Sequence, residues 1–379
     1  MAMRLFVRGV CCLCVLFILG CGPALPQSGP LDVARVRLPA GFHISLFSDR
    51  APGARMMVFS PSGWLLVSLT GEGSVLALAA PNHTGRVTRS FALVQGLNDP
   101  HGLAFSGRDL YVAETGRVVR FPDAEGALQA GRSMEKGGAE VVVPGIPAGG
   151  GHFTRTIVFA PDGDLFLSVG SSCNLCEERD PQRAAVLRVP KAGGTVEIYA
   201  RGLRNAVGLR INPQDGTLWT TDNGRDWLGD NLPPEEINIV AGPGNYGWPY
   251  CYGKNIPDPD YNDPARCRTA IPPALELPAH NAPLGFDFYR GEQFPPEYRG
   301  DVFVALHGSW NRSTPGGYKV ARVRVENGRP TRWEDFATGW LSGRRAWGRP
   351  ADVLSGPDGA LYVSDDRAGA IYRITYGER

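Results

Sequence analysis

The sequence lacks an excess of either charge. Its 379 residues carry 39 Lys plus Arg against 38 Asp plus Glu. A nucleic-acid partner would want a basic surplus, so that class is set aside. There is no opening apolar run long enough to cross a bilayer. Val10 to Leu19 falls short of the ~20 residues a spanning helix needs. No c-type haem attachment site is present, because Glu177, not His, follows Cys173-Asn-Leu-Cys176. That cysteine pair has no second close pair to complete a zinc site. Gly242-Pro-Gly-Asn-Tyr-Gly247 spells a dinucleotide pattern, but Trp248-Pro249 follows in place of a helix. Asp222, Asp226 and Asp230 do not keep the spacing of an EF-hand loop and read as turn caps.

What is present begins with an export signal. Arg4 and Arg8 precede the apolar run, and Ile18-Leu-Gly-Cys21 resembles a bacterial lipoprotein box. Residues 1–20 are expected to be a signal peptide, with Cys21 the lipidated first mature residue. The alternatives are an ordinary signal peptide cut nearby or a short anchor helix. Residues 21–30 read as a flexible tether and 31–379 as the folded domain. The protein is expected in the cell envelope, facing the periplasm and touching the membrane only through its lipid. Four cysteines then remain: Cys173, Cys176, Cys251 and Cys267. An even number in an oxidising compartment suggests two disulfides. Spacing does not fix the connectivity; local pairing, Cys173 with Cys176 and Cys251 with Cys267, is the expectation.

Gly (49) and Pro (32) make about a fifth of the chain, yet 43% is hydrophobic, so a turn-rich chain still has a core. One pattern recurs: an apolar residue, a tight turn, then an alternating strand. Its copies are Phe59–Ser68, Phe105–Ala113, Phe159–Ser168, Ile211–Thr220, a weaker Tyr298–Ala305, and Ser355–Ser364. Each reads as a β-hairpin. The first four start 46, 54 and 52 residues apart, close to one four-stranded propeller blade. The expected fold is all-β, a six-bladed β-propeller. Periodicity alone does not separate this from a solenoid or sandwich. The Pro-, Gly- and Trp-rich stretch from Asp226 to Pro283 reads as part of a blade plus a large functional loop.

In a propeller the segments just before each copy gather at one mouth of the central channel. Those segments hold Arg55, Asp99-Pro-His101, His152-Phe-Thr-Arg155, Arg204-Asn205 and Arg349-Pro-Ala-Asp352. In the fifth blade the polar run follows the strand, as His307-Gly-Ser-Trp-Asn-Arg312. His280 is a further candidate at the mouth, whereas His43 and His83 read as surface residues. Trp248 and Trp310 are candidates to stack on a planar ring or a sugar face, or else to pack between blades.

On these residues the chain resembles the pyrroloquinoline quinone (PQQ)-dependent soluble aldose dehydrogenases, the glucose/sorbosone dehydrogenase family, from roughly Gly41 to the end. The motifs that carry the resemblance are Gly202-Leu-Arg-Asn-Ala-Val-Gly208, Glu236-Ile-Asn-Ile, Gly244-Asn-Tyr-Gly-Trp-Pro249, and the His152 segment ahead of Pro161-Asp-Gly163. His307-Gly-Ser-Trp-Asn-Arg312 is similar to the L-sorbosone dehydrogenase branch. The resemblance implies PQQ and Ca2+ as cofactors, a sugar substrate and an external electron acceptor. It implies His152 as general base, with Arg204 and Asn205 at the quinone carbonyls. Arg312 and Arg349 would meet cofactor carboxylates; the family's Lys near the fifth blade has no clean match, Arg312 or Lys319 could substitute for it, and Trp310 is a further candidate cofactor contact. The backbone carbonyls of Gly224 and Arg225 would help hold the calcium ion, with Asp222, Asp226 and Asp230 an alternative source of ligands.

The chain also departs from the family pattern. Ser171 stands where the family's glucose dehydrogenases carry an Asp that orients the base, Thr156 where they carry Arg, and Arg225 where they carry Pro. These changes weaken an assignment to glucose. Two other functions compete: a calcium-dependent propeller hydrolase of lactonase type, and a non-catalytic envelope protein that binds a sugar or a partner.

Overall fold

The computed structural model describes Leu31, residues 33–193 and residues 195–377. The signal segment, Cys21 and the tether lie outside the described residues. Among the described residues, helix is confined to Ala124–Gln129, Pro264–Cys267 and a few single 3-10 turns; no helix is long and apolar enough to cross a membrane.

Six larger sheets make up the body among the described residues: five are four-stranded and antiparallel, and the sheet that begins with Arg155–Phe159 gains a short fifth strand, Gly244–Asn245, paired in parallel. Their innermost strands are Ala54–Phe59, Leu103–Ser106, Arg155–Phe159, Leu209–Ile211, Pro283–Phe288 and Pro350–Ser355, which define blades one to six in that order. Each innermost strand touches that of the next blade, and Pro350–Ser355 touches Ala54–Phe59, so the ring is closed. The six-bladed propeller expected from the repeats is the fold. The seal is made by Phe42–Ser48, which pairs with Ala370–Tyr376 as the outermost strand of blade six, Ile44 facing Ile374. The first and last strands thus share one sheet, and the ring has no unjoined seam.

The repeat copies are the hairpins between the first and second strands of each blade. In blades one, three and six the turn closes identically. Gly63 donates to Ser60 O at 2.9 Å, Gly163 to Ala160 O at 2.9 Å and Gly359 to Gly356 O at 3.0 Å. The three glycines have φ of 86°, 94° and 77°, a region open to Gly and costly to other residues. The serine that ends each of these copies also has a task. Ser68, Ser168 and Ser364 accept the backbone N–H of Met56, Thr156 and Asp352 on the neighbouring innermost strand. In blades one and six that strand bulges there, and a bulge leaves an N–H without a ladder partner.

Large apolar side chains fill the space between blades, as where Val67 and Leu69 of blade one pack near Tyr362 and Ile371 of blade six. Blade four is the exception to the regular plan. Between its third strand, Glu235–Val240, and its fourth, Leu275–Leu277, lies an excursion held by the Cys251–Cys267 disulfide. Both disulfides expected from local pairing are present.

Candidate active site

The innermost strands all start at the same end of the channel, and there a cavity of about 430 Å³ opens. Every blade but the second contributes to its wall: Arg55 from blade one, His152 from blade three, Arg204 and Asn205 from blade four, His307 from blade five and Arg349 from blade six. Asn223, Gly224, Asp226, Glu235, His280, Trp310 and Asn311 complete much of the rim and floor. Of the other mouth residues, Asp99 is exposed and Phe153 and Thr154 line the cavity, whereas three sit deeper. His101, Arg155 and Asp352 have no solvent exposure. Arg155 donates to the carbonyls of Pro147, His152 and Thr154 and so braces the turn that carries His152.

His152 is held from one side. Its Nδ1 lies 3.0 Å from Ser171 O and 2.9 Å from Ser171 Oγ. A carbonyl only accepts, so Nδ1 carries the proton and Nε2 keeps its lone pair. Ser171 Oγ donates to Cys173 O at 2.7 Å, which leaves its oxygen free to accept from the imidazole. Ser171 therefore does orient the ring in place of the family's Asp, but brings no charge. Burial, with Arg204 close by, pushes the His152 imidazole down to about 3. It is neutral over the ordinary pH range.

Arg204 is fixed just as firmly. Its Nε and Nη2 donate to Asn174 O and Oδ1, both at 2.9 Å, and its Nη1 to Asn223 O at 3.0 Å. Three of its five N–H groups are taken and two remain for a ligand. The backbone N–H groups of Arg204 and Asn205 rest on Asp222 at 2.9 and 2.6 Å. Arg349 donates to His307 O and Gly308 O, which keeps three N–H groups free of those contacts.

Three residues absent from the sequence reading prove central. Asn174, inside the four-residue loop closed by Cys173–Cys176, joins Arg204 to Asp226, whose N–H it accepts at 2.8 Å. Asp366 lies 2.9 Å from His307 Nε2 and 2.7 Å from Arg55 Nη1. Burial alone would raise this carboxyl, but the His307 hydrogen bond and Arg55 outweigh it and hold it well below the usual range. Glu235 accepts the N–H of Gly224 at 2.7 Å and of Ala282 at 2.9 Å, and burial pushes it up to about 7. The doubled Asp365-Asp366 just after the sixth repeat was the available signal for one of these. Nothing marked the other two.

Several expected site residues are elsewhere. Arg312 donates to Thr314 O, Asp230 O and Ala279 O and does not line the cavity. Lys319 pairs with Asp335 at 2.5 Å and lies over the Trp333 ring. Each guanidinium or ammonium is engaged by nearer partners, and neither lines the cavity. Gly224 lines the cavity, but Arg225 does not; its side chain grips Asp258 at 2.9 Å and Asp260 at 2.7 Å. Asp222, Asp226 and Asp230 act as hydrogen-bond acceptors for loops, as read from the sequence. Trp248 lies against an outer groove with Tyr250 and Arg266 and does not line the cavity.

Known proteins match this architecture along its whole described length. A family model described as TrAA12-like matches residues 36–377. An uncharacterized protein of Borreliella burgdorferi is 30% identical over 90% of this chain and 91% of its own. A PQQ-dependent pyranose dehydrogenase of Coprinopsis cinerea is 27% identical over 88% of this chain; the match spans only 54% of that relative's length. The calcium structure of a Trichoderma reesei family AA12 enzyme superposes with a TM-score of 0.76 at 22% identity, covering 90% of this chain and 97% of that one. The motifs around His152, Arg204 and Gly244 thus pointed to the right relatives, and the chain belongs to the TrAA12-like family, among the soluble PQQ-dependent sugar dehydrogenases.

Proposed function

We propose that the chain is an exported PQQ-dependent oxidoreductase that oxidises an aldose, sorbosone or related sugar and hands the electrons to a separate acceptor. The observation that carries this reading is the meeting of His152, Arg204, Asn205 and Arg349 from three different blades in one cavity. The named activity of the Coprinopsis relative supports it.

The donor set suits such a cofactor. PQQ is planar and carries carboxylates. Arg55, Arg204 and Arg349 face the cavity with N–H groups to offer, and guanidinium forks match carboxylates. A volume of about 430 Å³ lies at the small end of the ~300–1,000 Å³ range that encloses a compact ligand. Gly224 and the Glu235 carboxyl lie together on the wall, and oxygen donors of this kind suit calcium. The superposed Trichoderma structure is itself a calcium structure.

When bound, PQQ would supply the acceptor for the hydride that leaves the sugar carbon. The chain's own residues do the rest. His152, neutral and with Nε2 facing away from Ser171, takes the hydroxyl proton. Its Nδ1 stays fixed on Ser171, so the ring does not turn as charge develops. Arg204 and Asn205 present fixed donors where negative charge builds, with no reorganisation needed because Asn174 and Asp222 already hold them. His307, backed by Asp366, offers a second imidazole across the cavity. Lipid attachment at Cys21 and a periplasm-facing location are part of the same proposal and rest on the sequence of residues 1–30.

The test is reconstitution with PQQ and calcium, followed by dye reduction across a panel of monosaccharides. Turnover that requires both additions supports the reading. A protein that binds no quinone refutes it.

A further inference from the structure

Two indoles stand in solvent at the edge of this cavity. Trp227 is 66% exposed and Trp310 is 67% exposed, the highest values among the large exposed hydrophobic side chains described. Their rings meet edge to face, with centroids 5.1 Å apart and planes at 88°. Phe153, itself 44% exposed and on the cavity wall beside His152, adds a third aromatic.

The arrangement is built, not incidental. Trp227 belongs to the loop after the second strand of blade four and Trp310 to the loop after the second strand of blade five. Directly beneath the rings, Asn311 Nδ2 donates to Asp226 Oδ1 at 2.7 Å, tying together the residues adjacent to each tryptophan. Asp226 is in turn anchored to Asn174 and lies 3.8 Å from Arg204. Trp227 has φ of 75°, a left-handed conformation that a bulky side chain rarely adopts. The backbone is thus held in an unfavourable state with the indole in water, and strain of this kind gathers at ligand clamps.

We infer that Trp227 and Trp310 form a second sugar subsite outside the cavity, which stacks the unit linked to the one being oxidised. This rests on the sugar-oxidising reading. The size of the cavity favours it: about 430 Å³ leaves room for a quinone and one sugar ring, so a further ring must lie on the rim. The chemistry of the rim favours it too. Indole faces suit the C–H face of a pyranose, and the two perpendicular rings offer one face each. The preferred substrate is therefore the reducing end of a disaccharide or longer oligosaccharide.

The experiment compares glucose with maltose, cellobiose and lactose. Isothermal calorimetry on quinone-free protein reads affinity, and dye reduction on the reconstituted enzyme reads kcat/KM. At least one disaccharide should bind roughly tenfold tighter than glucose, the effect of one stacked ring. Trp227→Ala should bring that ratio close to one, and Trp227→Phe should restore part of it. Unchanged thermal unfolding in both variants excludes a folding defect. If no disaccharide is preferred in either assay, or if Trp227→Ala keeps the preference, the subsite is refuted. If the variant changes only the KM for the dye, the rim serves the acceptor and the inference is likewise overturned. Calorimetry needs no quinone, so a wild type that fails to bind PQQ sinks the oxidoreductase reading separately. A wild type that oxidises glucose but shows no preference sinks the subsite alone.

Discussion

The two ends of the propeller are made from the same six strands yet follow different rules. At the turn end, blades one, three and six repeat one hydrogen-bond pattern, with Ser60 donating to Trp64 O, Ala160 to Asp164 O and Gly356 to Ala360 O, each at 2.8 Å. At the mouth end the groups vary from blade to blade. Blade three offers His152, blade four Arg204 and Asn205, blade five His307 after its second strand, and blade six Arg349. The ends are separated by innermost strands of three to six residues, about 10–20 Å of chain. The turn end only reverses the chain, and one local solution serves three of the six blades. The mouth end must place different groups around one ligand, so each blade is specialised and its loops are braced by neighbours.

That contrast can be broken at its strongest point first. His152→Ala should reduce turnover by about 10²–10⁴-fold, the usual contribution of a general base. Quinone affinity measured by absorbance titration should survive. Full turnover in the variant would remove His152 from the chemistry. Next in size is Arg349→Ala. Losing its charge-assisted contacts should weaken quinone binding by roughly 10–100-fold, and the loss should appear in the titration, whatever substrate is used.

A third change sharpens the comparison within the mouth. The base works only when neutral, and burial and Arg204 already depress it to about 3, so its neutral form persists far into acid. Ser171→Asp puts a negative charge beside Nδ1–H and stabilises the imidazolium. The acid limb of kcat/KM should therefore move to higher pH, by about one unit or more. An unshifted limb would show that His152 does not set it. The smallest effect belongs to the opposite end. Asp162 accepts the N–H of Asp164 at 3.0 Å in the blade-three turn. Asp162→Ala should lower stability by about 0.5–1.5 kcal/mol in denaturant unfolding and leave turnover unchanged.

The difference between the ends also explains what could be read in advance. The turn sequences Pro61-Ser-Gly63, Pro161-Asp-Gly163 and Pro357-Asp-Gly359 act locally, and with the three less regular copies of the repeat they mark six blades in the sequence. His152, Arg204, Asn205 and Arg349 were also legible, because each directly precedes or begins an innermost strand and topology alone carries such residues to the mouth. His307 was legible as part of a polar run. Asn174 and Glu235 were not. Asn174 acts through a four-residue disulfide loop that reaches Arg204 thirty positions later, and Glu235 through a loop that returns to Gly224. Arg312 and Lys319 lie off the cavity for the same reason. A cation in a polar segment is drawn to whichever acceptors lie nearest in space, here the carbonyls around Asp230 and the Asp335 carboxylate.

The sequence by itself determined the number of blades and the end at which polar chemistry gathers, because the first rests on contacts between near neighbours and the second on the direction of a strand. Only the tertiary structure decided which cations are free to meet a ligand, how Ser171 stands in for a carboxylate beside His152, and that Trp227 and Trp310 face one another in water. Those outcomes depend on side chains from different blades competing for the same few acceptors across a closed ring, and no local pattern in the chain encodes the result of that competition.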